Sequence, residues 1–416
     1  MRVLWITNIT FPEAISLISG EQALLGSGGW MLGLAEALVQ QPGIELAVAS
    51  VSKKVSALKH IKGENIDYYL LPYGKGNRAV NHEYEPLWKE VYATVKPDVT
   101  HIHGTEYSHP LAYLEACGTN HVCISIQGLI SECQKYYHYG ISRRDIILSM
   151  TPYSLRYGGI ISDARDFKRR GECEIELLKR VHHVIGRTAW DRAHIWAINP
   201  VAEYHYCGES LRSEFYAGNK WLYEECIPHS IFLSQGSSPF KGLHMVLCAL
   251  PIVLRRFPDT SLRIAGNDIT CYNTLKQRLK ISNYGNFIRK LINNNRLREK
   301  VVFTGLLDSE GMCREYLNSN LFICPSSIEN SPNSLGEAQI LGVPCLASYA
   351  GGIPDLMQGD DSHMYRFEDV EMLASKICQT FEQKGDVCTE AMRTAAIHRH
   401  NPQKNVNDLI DIYLKL

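Results

Sequence analysis

The chain of 416 residues contains no apolar run that approaches the ~20 residues needed to span a bilayer. Its first apolar stretch, Val3 to Ile6, is too short and wrongly flanked for a secretory signal. The chain has 43 Lys and Arg residues and 44 Asp and Glu residues, so neither sign of charge predominates. No overall electrostatic field therefore attracts nucleic acid. Low-complexity tracts and fixed-period repeats are also missing. These absences predict a globular, cytoplasmic protein that does not bind nucleic acid.

The cysteines lack a pattern as well. Thirteen are scattered along the chain, and no two have C-x-x-C spacing. This predicts reduced thiols rather than a disulfide framework. Peripheral contact with the inner face of a membrane stays open, because basic clusters occur at Arg143-Arg144 and at Lys168-Arg169-Arg170. Solvated protein surface is the alternative explanation for both clusters.

The element pattern predicts two α/β domains, because the chain is too long for one usual core. Strand-like and helix-like segments alternate throughout, as in parallel sheets. One series begins with the strand Val3–Thr7 and the helix Met31–Gln40, and another begins with the strand Ser230–Ser234. Between them, Ala217–His229 has little periodicity and is the predicted hinge. Two such units place a ligand in a cleft beyond the carboxyl ends of both sheets.

Two helices carry more specific expectations. The helical pattern at Lys241–Phe257 contains Pro251, which predicts a kink or two shorter pieces. Near the end of the chain, Asn401 is a suitable cap and Pro402 suits the first helical position. The apolar stripe that follows needs a surface to bury it, and it consists of Val406, Leu409, Ile410 and Tyr413.

The segment CPSSIENSPNSLGEAQILGVPCLAS places Glu329 and Glu337 at E-x7-E spacing around a helix start. Ser331 is the predicted N-cap, with Pro332 at the first helical position, and Gly342 supplies the left-handed residue that ends the helix. Free N–H groups at the helix start suit a phosphate. An anion cradle between two acceptor groups fits a nucleotide sugar. The alternative is an ordinary strand–turn–helix with two surface glutamates.

This segment resembles the signature of glycosyltransferase family 4, the retaining enzymes of GT-B fold, of the bacterial glycan-biosynthesis type. The resemblance implies that Glu337 binds the ribose hydroxyls of the donor and that Glu329 lies against the donor sugar. It also implies donor contacts from neighbours at the helix start, namely Asn330, Ser331, Asn333 and Ser334. The turn at Gly351-Gly352 is similar to the family's glycine turn near the donor.

The loop SQGSSPFKG, from Ser234 to Gly242, does not have the phosphate-loop order G-x-x-x-x-G-K-[ST]. Family 4 normally has an Arg and a Lys here that neutralise the donor diphosphate. Lys241 matches the Lys, but Ser237 stands where the Arg is expected. Serine hydroxyls and backbone N–H groups beside Gly236, or Arg187 from the hinge side, are the expected substitutes. An exposed surface lysine is the alternative for Lys241.

The first series offers further candidates. His101 and His103 alternate onto one face of a strand, which leaves open a metal site, a core histidine, or the family's donor-sugar contact at His103. Gln127 ends the next strand and would lie beside His103. Gly28 and Gly29 precede the first helix, where family 4 commonly has a Gly-Gly ligand loop, although they do not complete G-x-G-x-x-G. A plain flexible loop is the alternative.

Together these features predict a GT-B fold with a C-terminal helix that crosses back to the N-terminal domain. The expected domains are 1–216 on the acceptor side, 217–229 as hinge, 230–395 for the nucleotide sugar and 396–416 as the final helix. The expected activity is retaining glycosyl transfer, without metal or other cofactor, from a nucleotide diphosphate sugar to a saccharide or lipid-linked saccharide hydroxyl. The expected process is polysaccharide or glycoconjugate biosynthesis. A nucleotide-sugar epimerase or hydrolase, or a non-catalytic nucleotide-sugar-binding protein, is the alternative.

Overall fold

The computed structural model describes residues 1–20, 29–74, 82–218, 220–385 and 390–416. The chain divides into two compact units. The first unit comprises Met1–Gln134, Asp166–Arg212 and Arg399–Leu416, and the second comprises Lys135–Arg165 and Ser213–His398. Within the described residues, no helix is both long and apolar enough to cross a membrane.

This division differs from the predicted domains chiefly in one segment, because Lys135–Arg165 lies in the second unit rather than within 1–216. Buried amides of the second unit hold it there. Asn283 Nδ2 donates to the carbonyl of Ile146, and Asn286 Nδ2 donates to that of Ser149, both at 3.1 Å. Such pairing between segments far apart in the chain leaves no local signal in the sequence.

The first unit is built on an eight-stranded sheet with the order β3-β4-β2-β1-β5-β6-β7-β8. All neighbouring strands run parallel except β3, which is antiparallel to β4. The strands are β1 (Arg2–Thr7), β2 (Glu45–Ser52), β3 (Lys59–Lys62), β4 (Ile66–Pro72), β5 (Val99–His103), β6 (Val122–Ser125), β7 (His183–Gly186) and β8 (Glu203–Tyr206).

The second unit is built on a six-stranded parallel sheet with the order β11-β10-β9-β12-β13-β14. Its strands are β9 (Ile227–Leu233), β10 (Ser261–Ile264), β11 (Val301–Phe303), β12 (Ser319–Cys324), β13 (Cys345–Ser348) and β14 (Met364–Tyr365). The last four residues of β9 and all of β12 are buried, as expected for strands whose two faces are covered.

Helices connect the strands of both sheets. They are α1 (Pro12–Ser19), α2 (Gly29–Val39), α3 (Glu85–Val95), α4 (His109–Cys117), α5 (Ile130–Cys133), α6 (Arg143–Leu148), α7 (Pro152–Tyr157), α8 (Ile160–Arg180), α9 (Ala189–Ile198), α10 (Leu243–Leu254), α11 (Leu275–Lys280), α12 (Asn283–Asn294), α13 (Ser309–Asn318), α14 (Asn333–Leu341), α15 (Ile353–Leu356), α16 (Val370–Glu382), α17 (Glu390–Arg399) and α18 (Pro402–Tyr413). Pro251 does not split the helix, because α10 runs from Leu243 to Leu254 and ends three residues after it.

The final helix belongs to the first unit, as predicted. Asn401 caps α18 by accepting a hydrogen bond from the N–H of Lys404 at 2.9 Å. Its apolar stripe packs in one core cluster with β1 and α2. Ile412 is a buried member of this cluster, whereas Ile410, which was predicted to be buried, is only partly buried. Tyr413 fixes the register, because its hydroxyl accepts a hydrogen bond from Trp5 Nε1 at 2.9 Å.

The strand orders determine where ligands can bind. In the first sheet the order reverses between β1 and β5, and in the second it reverses between β9 and β12. At such switch points the connections leave in opposite directions, which opens a crevice at the carboxyl ends of the strands. Those ends are Thr7 and His103 in the first unit, and Leu233 and Cys324 in the second.

Candidate active site

Two loops meet at the switch point of the second unit. One runs from the end of β9 to the start of α10 and contains Lys241 in a single 3-10 turn. The other runs from the end of β12 to α14 and contains Glu329. The N–H of Ser327 donates to the carbonyl of Phe240 at 2.8 Å, so the backbones of the two loops are joined directly.

Lys241 and Glu329 form an ion pair between these loops. The Nζ of Lys241 donates to Oε1 of Glu329, and Ser326 Oγ donates to the same oxygen at 3.0 Å. The side chains are 16% and 14% exposed, so the pair is largely withdrawn from solvent. The sequence predicted both residues as site residues, and the structure brings them together.

Two glycines permit the close approach that makes this pair. Gly242 has φ 74°, and a Cβ there would lie 1.7 Å from the carbonyl oxygen of Pro325. Gly351 has φ 55°, and a Cβ there would lie 1.9 Å from the carbonyl oxygen of Glu329. Any side chain would clash with backbone at either position, so both loops depend on glycine for their spacing.

A small pocket opens beside the pair. Its lining includes the two charged groups and hydroxyl groups from both loops, and the residues are Ser234, Gln235, Lys241, Ile323, Cys324, Pro325, Ser326, Glu329 and Ser334. It therefore offers one cation, one carboxylate and several hydrogen-bonding groups at the carboxyl ends of β9 and β12.

The helix that starts at this pocket differs from the predicted one at its first turn. Pro332, rather than Ser331, occupies the cap position of α14, and its side chain makes no cap hydrogen bond. The N–H of Leu335 donates to the carbonyl of Pro332 at 3.0 Å. The helix ends as predicted, with Gly342 in the left-handed conformation at φ 77°.

Glu337 lies on α14 and is buried, with 7% of its surface exposed. Tyr316 on α13 donates from its hydroxyl to Glu337 Oε2 at 3.1 Å, and the same hydroxyl is 3.0 Å from the carbonyl of Ser334. This hydrogen bond from Tyr316 therefore orients the carboxylate of Glu337. No local pattern marks Tyr316 as a site residue, because a strand and a loop separate it from Glu337.

The other predicted donor residues surround the same loops. Gly236 is buried, and a Cβ there would lie 2.8 Å from Leu243 Cδ2, whereas Ser237 is exposed. Asn330 is buried. At the start of α14, three residues are half-buried, and they are Ser331, Asn333 and Ser334.

A second group of predicted residues gathers in the first unit. His103 ends β5 and is buried, with its ring 4.2 Å from that of Trp5. Burial is the main cause that holds the pKa of His103 well below its usual range, and nearby His101 and Arg187 lower that pKa further. The imidazole is therefore neutral at pH 7 and suited to hydrogen bonding rather than to ion pairing.

Both ring nitrogens of His101 are used within the protein. Nδ1 lies 2.6 Å from the hydroxyl of Tyr413, and Nε2 lies 2.6 Å from Ser125 Oγ. Burial lowers the pKa of His101 to about 3. These contacts favour the core-histidine alternative for His101 over a metal ligand.

Arg187, which follows β7, is buried and forms an ion pair with Glu209. Its guanidinium also donates to the carbonyls of Ile126 and Gln127, the second at 3.2 Å. Arg187, Glu209 and Ile126 line a small pocket with His103 within the first unit. Glu209 was not predicted as a site residue, since nothing local marks it as the partner of Arg187. Gly28 lies outside the described residues, and Gly29 begins α2.

Comparisons with known proteins agree on one class of protein, the glycosyltransferases. Residues 228–383, which contain the pocket with Lys241 and Glu329, match the family model described as Glycosyl transferases group 1. The two Rossmann-like α/β units have the GT-B fold of the structural neighbours.

The individual relatives are distant. The chain is 26% identical over 167 residues to a GDP-mannose-dependent alpha-(1-6)-phosphatidylinositol monomannoside mannosyltransferase of Mycolicibacterium smegmatis, and the match covers 38% of each chain. Sucrose-phosphate synthase from Thermosynechococcus elongatus superposes with TM-score 0.64 at 16% identity, covering 100% of this chain and 96% of that one. Anabaena Alr3699/HepE in complex with UDP superposes with TM-score 0.65 at 13% identity, covering 100% of both. Identities this low establish the fold alone.

Proposed function

We propose that the protein is a retaining, metal-independent glycosyltransferase of family 4 that moves a sugar from a nucleotide diphosphate sugar to a hydroxyl acceptor. The observation that carries this proposal is the Lys241–Glu329 pair beside an uncapped helix start at the switch point of the second unit. A cation and free N–H groups suit a diphosphate, and a carboxylate beside them suits a sugar hydroxyl. The donor bound to HepE, UDP-glucose in one solved complex, is of this chemical class.

Each residue then has a chemical role. Lys241 and the first N–H groups of α14 neutralise the charge that develops on the departing diphosphate. Glu329 orients the donor sugar, and Glu337, held by Tyr316, accepts hydrogen bonds from the ribose. The neutral imidazole of His103 is suited to hydrogen bonding with a sugar hydroxyl. Ser237 and Gly236 lie on the diphosphate loop, while Gln127 and Arg187 belong to the acceptor side.

The reaction we propose is a front-face displacement. The bond between the anomeric carbon and the phosphate oxygen breaks, and a bond from the acceptor oxygen to the same face of that carbon forms. The proton of the acceptor hydroxyl passes to the departing phosphate oxygen, so no protein base is needed. Double displacement needs a carboxylate nucleophile against the anomeric carbon. Glu329 is the one plausible carboxylate here, and its pairing with Lys241 favours a positioning role.

The activity is tested by incubating the protein with a panel of UDP-, GDP- and ADP-sugars, with and without an acceptor extract. A transferase releases nucleoside diphosphate and forms a new glycoside only when acceptor is present. Release without acceptor identifies a hydrolase, isomerised donor identifies an epimerase, and donor binding without turnover identifies a binding protein. Any of these three outcomes contradicts the proposed transfer.

We further propose a saccharide or lipid-linked saccharide acceptor, with the protein in peripheral contact with an anionic membrane. The support is an exposed surface of the second unit formed by α6, α7 and α11, where the hydroxyl of Thr151 donates to the carbonyl of Ile281 at 2.8 Å. Its exposed apolar side chains are Ile147, Leu148, Met150, Leu155, Tyr157, Leu275 and Leu279. Its exposed basic side chains are Arg143, Arg144, Arg156, Lys276, Arg278 and Lys280. Apolar groups among cations complement anionic headgroups.

Vesicle sedimentation tests this contact. Vesicles containing phosphatidylglycerol should retain the protein, and vesicles of phosphatidylcholine alone should not. Leu155→Ser combined with Leu275→Ser should release it, because those side chains are 72% and 73% exposed on this surface. Leu306→Ser is the matched control, since Leu306 is 81% exposed elsewhere on the second unit. Equal retention on both vesicle types, or equal release by the control, contradicts the assignment.

A further inference from the structure

Three histidines and a glutamate gather where β7 and β8 begin. The strands are parallel, with His183 opposite Glu203 and Ile185 opposite His205. Residues two apart on a strand share a face, so His183, Glu203 and His205 project to one side of this sheet edge. His182 directly precedes β7 and joins them from outside the strand. β8 is the last strand of the sheet, so the group stands at an open edge.

The distances within this group are short. His183 Nδ1 lies 3.0 Å from His205 Nε2. The carboxylate of Glu203 lies 3.8 Å from each of those nitrogens. Ligand atoms of His182, His183 and Glu203 all lie within 4.8 Å of one another.

These spacings match what a tetrahedral cation requires. Zinc binds imidazole nitrogen and carboxylate oxygen at ~2.0–2.2 Å, which puts neighbouring ligand atoms of a tetrahedron about 3.3–3.5 Å apart. The nitrogen–nitrogen distance of 3.0 Å is slightly shorter than this range, and the two nitrogen–oxygen distances of 3.8 Å are slightly longer. Small side-chain rotations would therefore bring His183, Glu203 and His205 onto one ion, and His182 lies beside His183 and Glu203.

The group is also accessible to an ion. A ring nitrogen of His183 faces a ring nitrogen of His205. A neutral imidazole keeps one lone pair for coordination. Glu203 has a half-exposed side chain and His182 is exposed, so an ion can enter from solvent.

We propose that His182, His183, Glu203 and His205 form a Zn²⁺ site that joins the edge strand β8 to β7. Imidazole nitrogen and carboxylate oxygen are both zinc ligands. The site lies at the amino ends of its strands, whereas His103 and Arg187 lie at the carboxyl ends of theirs. Its role is therefore structural. It is independent of the proposed glycosyl transfer, which needs no metal.

Calorimetric titration of the chelator-stripped full chain with ZnCl₂ tests the proposal. The wild type should bind one Zn²⁺ per chain at this site. Loss of a group that only orients a metal ligand lowers metal affinity by ~10–100-fold. Glu203→Gln and His183→Ala remove the ligands themselves, so each should weaken zinc binding by at least that factor. Zinc should also raise the Tm of the wild type and leave that of Glu203→Gln nearly unchanged.

His82→Ala is the matched control, because His82, Glu85 and Glu115 form the other His-carboxylate cluster among the described residues. It should leave the zinc affinity unchanged. Since Glu203 and His182 are exposed, Glu203→Gln and His182→Gln give folded proteins in which lost binding reports the ligand itself. Absence of stoichiometric binding, wild-type affinity in Glu203→Gln and His183→Ala, or loss of binding in His82→Ala would each overturn the site.

Discussion

Replacing Lys241 by Met removes one charge from the proposed donor site while keeping most of the side-chain length. In the structure this ammonium group contacts Glu329 and also lies 5.1 Å from the centre of the Phe240 ring. Met keeps the contact with that ring, so the change reports the charge rather than lost packing. The expected consequences are a loss of catalysis and a smaller loss of stability.

The size of each loss follows from the environment. A preorganised electrostatic group at a developing charge contributes roughly 3–4 kcal/mol, which corresponds to a fall in kcat/KM of about 150-fold to 900-fold. Ser237 stands where the family has an Arg, so we expect the upper half of this range. Glu329 would keep Ser326 as a donor, and loss of its cation should lower the free energy of unfolding by about 1–3 kcal/mol.

Donor kinetics and urea unfolding measure the two losses separately. Lys220→Met is the matched control, because Lys220 pairs with Glu390 on the same unit but both side chains are about half exposed. That pair should contribute only about 0–1 kcal/mol to stability and nothing to turnover. The double variant Lys241→Met/Glu329→Gln should recover stability, since it leaves no uncompensated charge, but it should not recover activity.

Binding of free nucleoside diphosphate decides the assignment. If Lys241→Met binds the diphosphate as tightly as the wild type, Lys241 does not contact the phosphates and the reasoning fails. If the double variant recovers full activity, the charge is dispensable and the transition-state argument fails even where the stability argument holds.

Three further predictions follow from other parts of the structure. Glu337→Gln should raise the donor KM with little change in kcat, as measured by steady-state kinetics. Tyr316→Phe removes one hydrogen bond of about 1 kcal/mol, so in the same assay it should raise the donor KM by about tenfold or less. The product should keep the anomeric configuration of the donor, and EDTA should not abolish turnover; NMR of the new linkage would contradict this if it showed inversion, as would loss of activity on chelation. The free energy of unfolding should fall as pH falls below about 6.5. The pKa of His101 is lowered to about 3 in the folded protein, so below pH 6.5 the unfolded chain binds a proton that the folded chain does not. Urea midpoints between pH 7 and 4 should show the loss, and His101→Gln should make the midpoint depend less on pH.

Sequence reasoning worked where the signal is local. The strand before Pro325, the glycine that ends α14 and the Asn401 cap all depend on residues within a few positions of one another. The predicted start of α14 was wrong by one residue, because Pro332 adopts an extended conformation and helical geometry begins only at Asn333. The strand β4 was not predicted at all, although it supplies the parallel neighbour of β2.

Pairings between distant residues could not be predicted. The contacts Lys241–Glu329 and Tyr316–Glu337 join residues separated by 88 and 21 positions. Each depends on which strands lie side by side in the sheet, and one sequence carries no record of that order. The same holds for Arg187 and Glu209, where Glu209 has no local feature that marks it as a partner.

The Lys241–Glu329 pair links donor binding to the position of the carboxylate. Without a ligand, each charge compensates the other inside a pocket that solvent barely reaches, so neither is free to act alone. A diphosphate that binds at the start of α14 competes with Glu329 for the same ammonium group. We expect this competition to free an oxygen of Glu329 for the sugar hydroxyls at the moment when the leaving group is neutralised. A nucleoside diphosphate without a sugar would then leave that carboxylate without its cation and with Ser326 as its donor. The intact donor should therefore bind more tightly than the free diphosphate in the wild type, and this preference should shrink in Glu329→Gln.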